Sequence, residues 1–291
     1  MQLRTDLAIE AAAQLGATTP PGVKQDTRQV GDVKLTTIVI EDEQGEKALG
    51  RPKGRYITAE LPPLSDDEHN MEEKSIMLGD ELKNLLPQQG TILVVGLGNQ
   101  AVTPDALGPR AAGLVLATRH IEGEFARSTG MDDLRPTAVF VPGVLGQTGV
   151  ESSDMVKGIC SIVNPAAVIV IDALAARSVS RLGCTIQICD TGIAPGSGVG
   201  NNRTALNRET LGVPVIGLGV PTVVDARTVA VELTGREEAG DQVTPRGSEM
   251  MVTPREIDLI IRRASQLVAM TINAALQPEY SPLSLISAAA G

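Results

Sequence analysis

Tryptophan is absent from this 291-residue chain, and only two tyrosines and two phenylalanines represent the aromatic class. The core must come from Val, Ile, Leu and Ala, and stacking platforms for single-stranded nucleic acid are nearly missing. Positive charge is short as well. Twenty-five Lys and Arg face 35 Asp and Glu, and the net charge of −10 repels phosphate backbones and anionic lipid, so neither nucleic acid nor membrane is an expected partner. Histidine is limited to His69 and His120, which makes a histidine triad or a multi-histidine metal site hard to assemble. Carboxylates are left as the general acids and bases at hand. The three cysteines, Cys160, Cys184 and Cys189, form no C-x-x-C pair and suit a reducing compartment. No run of about 18 apolar residues occurs, and MQLRTDLAIEAAAQLG has no stretch fit for a signal peptide, so a cytoplasmic protein is expected.

What is present is enough for a large core: 42% of residues are hydrophobic. Capping and periodicity predict a short helix over 7–15, strand-like segments over 33–40 and 55–61 with a hairpin connection or mobile loop between them, and a helix over 66–86. From Thr91 onward the pattern changes to short apolar runs separated by helices. The runs TILVV, TAVFV, AVIVI, TIQIC and VIGLGV are continuously apolar, as in parallel strands buried on both faces. Thr253, Pro254 and Glu256 predict the cap of a last helix that carries Ile257, Ile260, Ala264, Leu267 and Val268 on one face. The expected fold is α/β: three layers, with a largely parallel, twisted sheet flanked by helices and a small β-rich lobe over 26–62. One domain over 7–276 is expected, with an exposed loop over 235–248 and a loosely held tail over 277–291.

In open α/β sheets reactive groups gather beyond the carboxyl ends of strands. TILVV runs into GLGNQAVTPDALGP, which holds Asn99 and Asp105. AVIVI runs directly into Asp172, and TVV into Asp225. Two carboxylates that meet cannot both ionise freely, so one keeps a proton as general acid while the other activates water, which suffices for amide hydrolysis. The plainer alternative makes Asp105 a cap for a helix near Pro109 and Asp172 a cap for a turn. GLGNQA partly matches a dinucleotide fingerprint, but Thr103 and Pro104 interrupt the helix that should follow, and no acid ends the next strand. No cofactor is expected, although a nucleotide- or peptide-binding α/β module without hydrolytic activity remains the alternative. Asp190-Thr191-Gly192 reads like the D-T-G of pepsin-like and retroviral proteases. Those enzymes are all-β and use two such loops, whereas this chain has one. The following IAPGSGVGNNR, with Gly196, Gly198 and Asn201 and ending in Arg203, could form a backbone nest around a substrate carbonyl or carboxylate, or be a plain surface loop.

Together, RTDLAIEA, GLGNQAVTPDALGP, ATRH, VPGVLGQTG, VIVIDALAARS, QICDTGIAPGSGVGN and GVPTVVDA resemble the spore germination protease family, from the first residues to about Leu233. The resemblance implies an endopeptidase of the small acid-soluble proteins that coat spore DNA, acting in the spore core, with a fold related to the hydrogenase-maturation proteases. It assigns the two essential aspartates to Asp105 and Asp172. It also implies a zymogen that cleaves itself between Asp6 and Leu7, which makes residues 1–6 a candidate propeptide, and a homotetramer. The related maturation proteases bind a metal through histidine; no histidine stands beside Asp105 or Asp172, so a metal-free site is expected. Asn99, Asp190, Gly196, Gly198, Asn201 and Asp225 are the candidate substrate-binding or supporting residues.

Overall fold

The computed structural model describes residues 5–16, 19–66, 69–121, 123–129, 131, 133–196, 203–243 and 250–290. Among the described residues nine strands form one mixed sheet: β1 (Val23–Val30), β2 (Val33–Ile40), β3 (Gly54–Glu60), β4 (Ile92–Gly96), β5 (Thr137–Phe140), β6 (Ala167–Ala176), β7 (Thr185–Cys189), β8 (Val215–Asp225) and β9 (Met251–Val252). Their spatial order is β1-β2-β3-β7-β8-β6-β4-β5, with β9 paired to β8. The helices are α1 (Ala8–Ala13), α2 (Glu43–Leu49), α3 (Met71–Lys83), α4 (Leu107–Ala112), α5 (Gly123–Thr129), α6 (Leu145–Thr148), α7 (Ser152–Val163), α8 (Arg208–Leu211), α9 (Ala226–Thr234), α10 (Glu238–Gln242), α11 (Ile257–Leu276) and α12 (Pro282–Ala290).

The five apolar runs are all strands, and β5, β4, β6 and β8 pair in parallel. β7 runs antiparallel to both β3 and β8, because apolar continuity reports burial and not direction. Through β3 and β7 the β-rich N-terminal residues extend the same sheet. Alternate side chains divide between two faces: Ile92, Val94, Ile169 and Ile171 face α3, α4 and α11, whereas Leu93, Val95, Val168 and Val170 face α7 and α8.

Several elements differ from expectation. The connection between β2 and β3 contains α2, because Asp42 accepts from the backbone N–H groups of Gln44 and Gly45 and Gly50 closes the helix at φ 62°. α11 begins at Ile257 with no side-chain cap; the Thr253 hydroxyl instead donates to the Thr222 carbonyl at 2.9 Å. The stretch 235–248 includes α10, and residues 244–249 lie outside the described residues. Where a loose tail was expected, α12 packs on α11 and buries Leu285 and Ile286. No helix is long and apolar enough to cross a membrane among the described residues.

Candidate active site

β4 and β6 are neighbours, and the chain leaves β4 toward β5 on one side while β6 lies on the other. This is the switch point of the parallel half, where crevices open at strand ends. The last β4–β6 pair is Gly96 with Ile171, so Asp172 stands one residue past the tip of β4. Asp172 is therefore not at the end of its own strand: β6 continues to Ala176 beside β8. Asp105 ends a single 3-10 turn, Thr103–Asp105, that folds back over the tip of β4.

Glycine makes this fold-back close. Gly98 has φ +117°, and a Cβ there would lie 2.0 Å from the Asp105 carbonyl oxygen. A Cβ at Gly108 would lie 2.1 Å from the Leu97 carbonyl oxygen, and one at Gly96 2.3 Å from that of Gly108. The glycines of GLGN thus serve backbone packing around the aspartates.

Asp105 and Asp172 border one cavity of about 370 Å³, together with Leu97, Val144, Arg203 and Thr222. Asp172 is only 7% exposed. Burial, then the nearby charges of Asp105 and Asp6, push its carboxyl well above the usual range, against one N–H from Ala173 at 2.9 Å. Burial also raises Asp105, but the Asn99 N–H, 2.8 Å from Oδ2, and the positive charge of Arg203 oppose it. The pair is asymmetric: a proton is held more tightly at Asp172, and Asp105 ionises first.

The N-terminal segment crosses this site. Asp6 donates its N–H to Ala175 O and accepts the Ala175 N–H on its carboxylate, both at 2.8 Å. Gln187 Nε2 donates to the Asp6 carbonyl at 3.0 Å, and Gln187 Oε1 accepts the Ala8 N–H at 2.7 Å. Leu7, fully buried, anchors the segment against Leu174 and Tyr56. Asp6 and Asp172 also border a second cavity of about 120 Å³, with Tyr56, Cys189 and Gly196.

The remaining predicted site residues divide. Asn99 orients the Asp105 turn, its Oδ1 accepting from Ala101 N at 3.0 Å and from Gln147 Nε2 at 2.8 Å. Gly196 borders both cavities. Gly198 and Asn201 lie outside the described residues. Asp190 is tied to β3, accepting the Arg55 N–H at 2.7 Å, and Asp225 caps α9 by accepting from Thr228 N at 3.1 Å. Glu151 and Gln187 went unforeseen; only Gln187, a polar residue inside an apolar strand, left a signal in the sequence. Among the described residues no group of three or more His, Cys, Asp or Glu could hold a metal ion.

Fold and site define a mixed α/β protein with an acidic crevice at the switch point of its sheet. The family model "Germination protease" matches residues 5–235. A germination protease of Caldanaerobacter subterraneus is 42% identical over 95% of this chain and 94% of its own length. That of Clostridium acetobutylicum is 39% identical over 95% of each chain, and that of Bacillus subtilis 37% identical over 96% of this chain and 94% of its own. The chain belongs to the germination protease family and is a peptidase of spore germination. Among solved structures, a [NiFe] hydrogenase maturation protease from Thermococcus kodakarensis aligns over 67% of this chain and 98% of its own, at 17% identity and a TM-score of 0.39.

Proposed function

We propose that the chain is an aspartate-dependent endopeptidase that begins the degradation of small acid-soluble spore proteins at germination. The observation that carries this reading is the pair of carboxyl groups on one cavity, Asp172 from β6 and Asp105 from the turn after the neighbouring β4, the more buried one holding its proton harder. Asp105, ionised, takes a proton from a water molecule as its oxygen attacks the scissile carbonyl carbon. Asp172, protonated, gives its proton to the departing amine as the C–N bond breaks. Both protons are accounted for within the pair, and no metal enters the scheme.

The same site supports self-processing between Asp6 and Leu7. That bond lies on the segment whose Asp6 charge acts on Asp172 and whose Asp6 carbonyl is held by Gln187. Intact mass is expected to fall by the residues up to Asp6, and an unchanged mass in protein that cleaves substrate counts against it. The spore core as location and a homotetramer belong to the same reading.

The central test replaces each carboxylate by its amide. Asp105→Asn and Asp172→Asn are each expected to lower cleavage of a purified small acid-soluble spore protein by about 10²-fold or more, with the circular dichroism spectrum unchanged. A near wild-type rate in either variant refutes the pair.

A further inference from the structure

Gln187, Gly219 and Asp172 stand in one row across β7, β8 and β6. Residues in register on neighbouring strands point to the same face, and the middle one here has no side chain. The Gln187 carboxamide and the Asp172 carboxyl therefore rise on either side of bare backbone, with about 10 Å between their strands. The smaller cavity opens at this row and is bordered by all three residues and by Asp6. Asp6 and Asp172 also border the larger cavity, where Asp105 stands.

The N-terminal segment enters this gap as a guest strand. Leu7 is extended, at φ −87° and ψ 124°. The main chain around it is held at four points. Arg51 Nη2 donates to the Thr5 carbonyl, the Asp6 N–H donates to Ala175 O at 2.8 Å, Gln187 Nε2 donates to the Asp6 carbonyl at 3.0 Å, and Gln187 Oε1 accepts the Ala8 N–H at 2.7 Å. One carboxamide thus brackets the Asp6–Leu7 bond, binding the carbonyl before it and the N–H beyond it as a backbone amide of a parallel neighbour would. Gln187 is only 6% exposed, and with Oε1 occupied by Ala8 its donor is aimed at a single carbonyl oxygen.

We infer that Gln187 is a catalytic residue of self-cleavage: its Nε2–H stabilises the charge that develops on the Asp6 carbonyl oxygen, while the Ala8 N–H fixes the amide. The inference rests on the self-processing reading. As the water oxygen bonds to the Asp6 carbonyl carbon, Asp105 takes the water proton and the carbonyl π pair moves onto the oxygen that Nε2 holds. That pair returns as the C–N bond breaks, and Asp172 supplies the proton that leaves Leu7 with a free amine. A donor already aimed at this oxygen needs no reorganisation in the transition state.

Self-cleavage is read as the fall in intact mass with time. Gln187→Leu loses donor and acceptor, whereas Gln187→Glu loses the donor but keeps an acceptor for the Ala8 N–H. Both are expected to slow the cut by about 10²-fold or more, the neutral Leu variant showing that an added charge is not the cause. Hydrogen exchange of the Ala8 amide, in an Asp172→Asn background that keeps the chain whole, separates chemistry from tethering. With Gln187→Glu this amide is expected to stay as protected as with Gln187. A mere tether predicts instead a Glu variant that cuts at a near wild-type rate, or one that is slow because its Ala8 amide exchanges freely; either result overturns the inference, as does a near wild-type rate in Gln187→Leu. Wild-type protein that cleaves a purified small acid-soluble spore protein but never shortens refutes self-processing, and the role of Gln187 falls with it. Wild-type protein that shortens while the variants keep pace refutes the role of Gln187 alone.

Discussion

Asp172 is the one polar residue of the otherwise apolar strand β6, flanked by Ile171 and Ala173 and bordered on β8 by Gly219. Such a position costs stability. Its folded-state carboxyl resists ionisation, so the sign runs opposite to that of a salt-bridged aspartate. Below the ordinary carboxylate range both folded and unfolded chains are protonated and there is no penalty. As pH rises past that range the unfolded chain ionises first, and folding stability falls until the folded group ionises too. Asp172→Asn removes the penalty. It is expected to raise stability by about 1–3 kcal/mol at about pH 7, with the gain shrinking toward about pH 4, as urea midpoints at the two values would show. A gain that does not depend on pH contradicts the burial argument. At this scale both aspartates were legible in the sequence, because each follows an apolar run. Glu151 was not, because an acid in a polar loop carries no local mark of what it faces across a cavity.

The apolar runs announced the strands, and they could not announce where the strands end. β6 and β8 continue past the crevice through an irregularity: Leu174 pairs with Pro221 and Ala175 with Val223, which leaves Thr222 unmatched. The extra residue changes the face that β8 presents. Val220 packs in the cluster with α11, whereas Val224 joins Leu7, Leu174 and Ala176 on the other side. A bulge beside a site re-aims side chains, and here Thr222 and Val223 both border the cavity. Asp190 illustrates the opposite case, a motif that reads as chemistry and serves an element. Its carboxylate accepts the Arg55 N–H and its own N–H donates to the Arg55 carbonyl at 3.2 Å, continuing the β3–β7 ladder by one pair. Asp190→Ala is expected to cost about 1 kcal/mol by thermal or urea unfolding and to keep most of the hydrolytic rate. Loss of activity as deep as that of Asp172→Asn, in a folded protein, restores the D-T-G reading.

Across the whole molecule the long-range pairings are what the sequence hid. That β3 would meet β7 joins residues more than a hundred positions apart, and no periodicity reports such a partner. The spine of the assembly, α11, was legible as a helix because its apolar face repeats at helical spacing, but not as the hub that it is. It packs on α3, α4, α12, β8 and the turn that carries Asp105. Two amides one helical turn apart extend its reach. Asn273 Oδ1 accepts the Leu116 N–H at 3.0 Å and Nδ2 donates to the Leu114 carbonyl at 3.1 Å, while Gln277 accepts from Arg135 N at 3.0 Å and donates to Arg135 O at 2.9 Å. These bonds hold the chain just after α4 and just before β5. Asn273→Ala strands two backbone groups and is expected to cost about 2–4 kcal/mol, measured as a lower unfolding midpoint. Because α11 also backs the Asp105 turn, the kinetic readout carries the further information. Unchanged kcat/KM well below the unfolding transition makes the helix a passive support. A fall in kcat at unchanged KM shows that the packing of α11 sets the placement of Asp105 against Asp172.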